Sequence, residues 1–222
     1  SCLRTMDTES GCAFIEVNSK GQNRIIVSAG TNRMYTEEYI QSVLEKAEAG
    51  DFVLLQNEIN MVGEIIRLSH EKGCRVVFNA SPIPKNPEEL PLELVDIFMV
   101  NELEAAALAG TSAEGDFRDI LKALQKKYPK AAIVMTLGKD GVLYGYKEEF
   151  YSHPIFKVNA VDTTAAGDTF CGYFLAALCA GKSVEMALRE ASAASAMAVS
   201  AKGAAPSIPV HSAVEEWLCG RS

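Results

Sequence analysis

The feature that most constrains the fold is an alternation of short apolar runs with amphipathic stretches. Apolar runs fall at 52–55, 75–78, 97–100 and 132–135, and between them lie amphipathic segments at 37–47, 61–72, 101–109 and 117–127. Runs of three or four apolar residues without polar alternation suit strands covered on both faces. Strand and helix taken in turn predict a parallel sheet with helices packed on it. Two hairpins frame this core. One pairs 12–17 with 24–27 around the turn cluster Asn18-Ser19-Lys20-Gly21, and the other pairs 141–146 with 150–153. The last third is richer in small residues and predicts helices at 166–180 and 184–201, the second capped by Ser183. A terminal helix is expected from Ser212, with Glu215 completing a capping box. The expected fold class is an α/β three-layer sandwich with a predominantly parallel sheet.

A chain of 222 residues can bury one sizeable core. Its net charge of −8 argues against a general nucleic-acid binder, whose phosphate contacts demand basic surface. A nucleotide remains compatible, because helix N-termini supply a local positive field without lysines. No apolar stretch is long enough for a membrane span, and the first ten residues are too polar for a signal peptide. The six cysteines form no C-x-x-C pair and several sit in apolar runs. They are expected to be buried, reduced thiols, which favours a cytoplasmic protein and makes a structural zinc site improbable. His70, His153 and His211 are scattered, so no Cys–His nucleophile is indicated.

The chemistry concentrates in Val161-Asp162-Thr163-Thr164-Ala165-Ala166-Gly167-Asp168-Thr169-Phe170. Small residues let the backbone turn tightly into a helix, so that successive N–H groups face outward where the dipole also favours an anion. Asp168 lies within reach of that anion. It is either a first-turn carboxylate that stabilises the helix or a base that takes a proton from an attacking hydroxyl. Thr136-Leu137-Gly138-Lys139-Asp140-Gly141 follows a predicted strand and is either a hairpin turn or a close approach of backbone to phosphate. Asn101 and Glu104 share one helix face, as a capping box or as ligands.

Together these segments resemble the ribokinase family, also called the PfkB carbohydrate kinases, and the similarity runs in order from Gly11 to Pro209. The resemblance implies a ribokinase-like fold over 1–222, with 12–28 as part of a small β-lid. It implies an ATP-dependent sugar kinase acting on the 5-hydroxyl of D-ribose. In that likeness Asp168 is the catalytic base and also contacts the sugar, while Ala165, Ala166 and Gly167 form the anion hole. Asn101, Thr136, Gly138 and Gly141 bind the nucleotide. Leu55-Gln56-Asn57-Glu58 resembles the segment whose glutamate, here Glu58, contacts the sugar. Phe78-Asn79-Ala80-Ser81-Pro82 resembles the family's Asn-Pro-Ala-Pro, with Ser81 departing from it. Glu104 would organise Mg²⁺ through water. A K⁺ site would use Asp162, Thr164, Ala198, Ala201, Gly203 and Ser207.

The same likeness implies a homodimer formed through the β-lid, with no nucleic-acid or membrane partner. Nothing in the first eleven residues matches the family's N-terminal segment, which carries a sugar-binding Gly-Gly-Lys-Gly-Ala-Asn motif. Residues 1–222 alone are therefore expected to be poorly soluble and inactive toward sugar. Two rival readings stand beside ribose phosphorylation. One is another sugar or nucleoside kinase of the family, such as a fructokinase; the other is a non-catalytic nucleotide-binding module.

Overall fold

The computed structural model describes residues 3–17 and 23–221. The expected turn at Asn18-Ser19-Lys20-Gly21 lies outside the described residues. The described chain contains eight strands and seven α-helices, and its contacts divide it into two compact units, 1–97 and 98–222.

The first unit opens with β1 (Cys12–Val17) and β2 (Asn23–Ser28), an antiparallel pair with Phe14 opposite Ile26. Phe14, Ile15, Ile26 and Val27 are all exposed, so this ribbon covers no core of its own. Then come α1 (Glu37–Leu44), β3 (Phe52–Gln56), α2 (Val62–Glu71) and β4 (Arg75–Asn79). The Thr36 side chain accepts the Tyr39 N–H at 3.3 Å and starts α1. That helix is shorter than its expected span of 37–47, because Lys46 and Ala47 bond back only three residues and tighten the chain into turns. β3 and β4 are parallel with Gln56 opposite Asn79, and Val76, Val77 and Phe78 are fully buried.

β5 (Ile97–Asn101) crosses from the first unit into the second. There follow α3 (Glu102–Ala109), α4 (Phe117–Lys127), β6 (Ala132–Thr136), β7 (Val142–Tyr146) and β8 (Glu149–His153). The six strands from β3 onward form one sheet in sequence order, with antiparallel pairing from β6 through β8. The sheet is mostly parallel, as the alternation of runs predicts. Asp116 caps α4 by accepting the Arg118 N–H at 2.7 Å, and Lys126 and Lys127 complement the dipole at its other end. Its buried face is Ile120, Leu121 and Leu124.

The chain ends in α5 (Ala166–Cys179), α6 (Val184–Val199) and α7 (His211–Cys219). Ser183 caps α6 as expected, accepting the Met186 N–H at 3.3 Å. Ala187, Ala191, Ala194 and Ala198 are fully buried at helical spacing, and their small side chains let neighbouring helices approach closely. α6 stops two residues before the expected 201. The Val199 carbonyl instead accepts the N–H groups of Val161 at 2.7 Å and Asp162 at 3.2 Å, and Ala201 bonds back only to Ala198.

The expected capping box on the terminal helix does not form. α7 begins at His211 after Val210, with no side-chain cap, and Glu215 pairs with His211 at 3.3 Å. The Tyr173 hydroxyl donates to the Pro209 carbonyl at 2.6 Å, fixing the chain just ahead and placing Ser212 inside the first turn. The cysteine expectation also needs correction. Cys74 and Cys171 are buried, but Cys12, Cys179 and Cys219, on the exposed hairpin and at helix ends, are exposed; these five are free thiols, and Cys2 lies outside the described residues. Among the described residues no helix is long and apolar enough to cross a membrane.

Candidate active site

The loop 161–165 is shaped by one carboxylate. Asp162 Oδ1 accepts the Thr164 hydroxyl at 2.6 Å and the Thr164 N–H at 3.0 Å, and Oδ2 accepts the Gly203 N–H at 3.0 Å. The Thr164 hydroxyl, then the two backbone donors, hold the Asp162 pKa down at about 2. This fan ties the start of α5 to the 202–207 loop, where Gly203 adopts φ 94 and Ser207 Oγ donates to the Ala204 carbonyl at 2.7 Å. The chain then turns into α5 through Ala165 at φ 59, a left-handed conformation that alanine rarely takes.

Ala165 supplies no side-chain cap, so the first-turn donors of α5 are left to the backbone and to whatever approaches. Ala166 N–H makes a long 3.3 Å bond to the Thr163 carbonyl, and Ser195 Oγ steadies the Ala166 carbonyl at 3.1 Å. Gly167 faces open space, with no atom from outside its own stretch of helix within 4 Å of where a Cβ would stand. Asp168 sits exposed on this first turn, and Thr169 and Phe170 behind it are buried.

That turn opens on a cavity of about 670 Å³. Of the residues singled out from sequence, Thr136, Gly138, Gly141, Ala166 and Gly167 line it. The segment 136–141 closes the β6–β7 connection as a hairpin through the Leu137 N–H to the Gly141 carbonyl at 2.8 Å, so the turn reading holds, and the same turn borders the cavity. Gly141 has φ 97, and a Cβ there would lie 2.3 Å from the His153 carbonyl oxygen, so only glycine fits. Sequence reasoning missed Phe156, Lys157, Ser192 and Ser195, which line the same cavity. The two serines interrupt the alanine-rich face of α6 three residues apart, and that break was the available signal.

Asn101 and Glu104 form a full capping box. Asn101 Oδ1 accepts the Glu104 N–H at 2.8 Å, and Glu104 Oε2 accepts the Asn101 N–H at 2.9 Å. Neither residue is among those lining the cavity. Glu104 is 8% exposed, with one carboxylate oxygen committed to the cap. Among the described residues no three His, Cys, Asp or Glu side chains cluster as a metal site. Asp162 is held ionised by its three donors, and the Ser207 hydroxyl is buried on the loop that the same carboxylate ties down.

Glu58 and Asn79 belong to the first unit, and every other candidate residue belongs to the second. Both lie at the carboxyl ends of adjacent parallel strands, where open α/β sheets take their ligands. The Asn57 N–H reaches the Ser81 carbonyl at 3.0 Å and its Nδ2 reaches the Pro82 carbonyl at 3.0 Å, joining the two loops. Glu58 is exposed on the loop so held.

Known proteins share this arrangement of elements. Residues 1–211 match the model of the pfkB family carbohydrate kinases. The chain is similar to a ribokinase of Haemophilus influenzae, 35% identical over 221 residues that span 97% of this chain and 72% of that protein. A crystal structure of ribokinase from Thermotoga maritima superposes with a TM-score of 0.82 at 35% identity, covering 96% of this chain and 71% of that one. An Arabidopsis thaliana ribokinase complexed with ribose and ATP superposes with a TM-score of 0.81 at 31% identity, over 96% of this chain and 70% of that one. A family match of that extent, on a chain whose uncapped helix start and glycine turn share one cavity, has a single consequence: the chain belongs to the pfkB family of carbohydrate kinases.

Proposed function

We propose that the protein transfers the γ-phosphoryl group of ATP to the 5-hydroxyl of D-ribose. The observation that carries this reading is the shared cavity, walled by both the 136–141 turn and the open first turn of α5. ATP lies there with its phosphates directed at Ala165, Ala166 and Gly167. Asp168, exposed on that turn, takes the proton from the sugar hydroxyl. The hydroxyl oxygen bonds to the γ-phosphorus, the bond to the bridging oxygen breaks, and ADP leaves with that electron pair. Charge on the transferred group meets the amide donors and dipole of α5, which are oriented before the reaction. Glu58 holds the sugar, and alignment of its hydroxyl accounts for much of the rate.

Asn101 Nδ2 and the second oxygen of Glu104 are the groups left, beyond the capping box, to face phosphate and a hydrated Mg²⁺. When bound, Mg²⁺ neutralises phosphate charge. K⁺ would be held by Asp162 and Ser207 with the carbonyls of Thr164, Ala198, Ala201 and Gly203, and would supply positive charge that helps to order the loop 163–167. Activity is therefore expected to rise with K⁺ over a bulky organic cation, and equal rates in the two would remove the cation site from this account. We read 1–222 as one kinase domain, with 12–28 as part of a lid whose exposed apolar side chains pair with a second copy. Buried free thiols at Cys74 and Cys171 support a reducing, cytoplasmic location.

The test is ADP release by the full-length protein with ATP, Mg²⁺ and K⁺, with and without D-ribose. Release that depends on ribose and gives a 5-phosphate supports the assignment. Faster release with fructose or a nucleoside moves the substrate elsewhere in the family. ATP binding without sugar-dependent release by any of them leaves a nucleotide-binding module.

A further inference from the structure

One wall of the cavity is an irregular strip, 154–160, between β8 and the loop that leads to α5. Ile155, Phe156, Lys157, Val158 and Ala160 all line the cavity, yet Phe156 alone in the strip is not exposed. Its ring is wedged between two others. The His153 ring lies 5.2 Å away at 43°, and Trp217 meets it edge-on at 5.0 Å and 80°. Trp217 is on α7, an element that contributes nothing to the cavity lining.

Trp217 is itself held firmly. The Arg221 guanidinium lies 3.9 Å from the indole centroid, and Arg221 Nη1 donates to the Trp217 carbonyl at 3.3 Å. Arg189 of α6 donates to the Arg221 carbonyl at 3.3 Å. Val214, Ala193 and Ala194 are fully buried together, with Phe156, Trp217 and Leu218 packed around them. α6 thus turns Ser192 and Ser195 toward the cavity and Ala193 and Ala194 toward α7, and Phe156 reaches α7 from the strip.

We propose that Trp217 is a positioning residue for the nucleotide. Through Phe156 it fixes the strip that forms one wall of the cavity, although it touches no ligand itself. The inference rests on reading that cavity as the ATP site. Loss of the indole frees the strip, so the cavity is ordered only when ATP arrives and affinity falls. Phosphoryl transfer, which occurs at the start of α5, is unchanged once ATP is bound. An aromatic pair's usual coupling corresponds to a roughly threefold to tenfold change in affinity.

The test measures Kd for ATP by calorimetry, with kcat and both KM values, for the wild type, Trp217→Ala, Trp217→Phe, Phe156→Ala and the double alanine variant. Trp217→Ala is expected to raise Kd and KM for ATP by roughly threefold to tenfold while kcat and the sugar KM stay within about twofold. Trp217→Phe keeps a ring edge against Phe156 and is expected to restore most of the affinity. The double variant is expected to be no weaker than Phe156→Ala alone, because the two residues act in series. A purely structural tryptophan would lower the melting temperature and active fraction without moving KM for ATP, and that result overturns the proposal. Trp217 is the single tryptophan of the chain, so wild-type emission is a second readout that needs no variant. Saturating ATP is expected to shift that emission, and an unchanged spectrum overturns the proposal even if Trp217→Ala fails to fold. Wild-type protein that binds no ATP would instead sink the nucleotide reading, and this inference with it.

Discussion

Two helices begin within the second unit in opposite ways. α3 is closed at its start, where Asn101 and Glu104 exchange hydrogen bonds with each other's backbone at 2.8 and 2.9 Å. α5 is open, with Ala165 at its cap position offering no side-chain acceptor and Gly167 facing empty space above the cavity. Every helix leaves its first N–H groups without intrahelical partners, and the residues placed there decide what satisfies them. Polar caps spend those donors on the fold. A run of Ala, Ala and Gly offers them no side-chain cap, the loop is stabilised elsewhere, through Asp162, and on the proposed reading the donors are kept for a ligand. That separation of roles distinguishes a structural helix start from a chemical one.

The largest expected effect lies at the open end. Asp168→Asn keeps the size of the side chain and removes its ability to take a proton, so kcat is expected to fall by ~10²–10⁴. Calorimetry is expected to show ATP affinity largely intact. A kcat within tenfold of wild type would make Asp168 a stabilising first-turn carboxylate and erase the contrast with α3.

The closed end sharpens the comparison through two substitutions. Asn101→Ala removes a cap that is typically worth ~1 kcal/mol. In a chain of this size that corresponds to a fall of about 2–4 °C in melting temperature. Asn101→Asp retains a capping acceptor but loses the amide donor. It is expected to keep the melting temperature and raise KM for ATP. If Asn101→Asp changes neither quantity, Asn101 is a cap alone and takes no part in binding phosphate.

The smallest effect concerns the loop that holds α5 open. The Asp162 pKa, about 2, lies below the ordinary 3.8, so its ionised form is favoured by folding. The resulting stabilisation is complete above about pH 4 and is lost as pH falls toward 2. Thr164→Val removes the hydroxyl that contributes most to that shift, and the acid limb of melting temperature against pH is expected to move upward by a fraction of a unit. An unmoved limb would mean that the Thr164 hydroxyl does not hold the carboxylate.

How much of this is legible in sequence follows from what each residue's role depends on. The strands at 75–79, 97–101 and 132–136 were readable because burial on both faces demands apolar runs, and 52–56 carries the same pattern although Leu54 is exposed. The α5 start was readable because the tight turn restricts residue size. The end of α6 and the start of α7 were not, since both are set by distant partners. Val199 is claimed by Val161 and Asp162, and Pro209 by Tyr173. The pattern Ser212-x-x-Glu215 satisfies the capping rule, but only a residue in extended geometry can use it, and Val210 occupies that place. Phe156 was silent for a similar reason. It lies in an irregular segment without periodicity, and its meaning comes from Trp217, sixty-one positions away.

The central claim is that the backbone donors of α5, and not those of α3, receive the transferring phosphate. Amide NMR of the protein titrated with a non-hydrolysable ATP analogue tests it most directly. The account predicts large shifts at the Ala166 and Gly167 amides, with the Glu104 amide, already bonded to Asn101, nearly unmoved. Large movement at Glu104 with Gly167 still would contradict it.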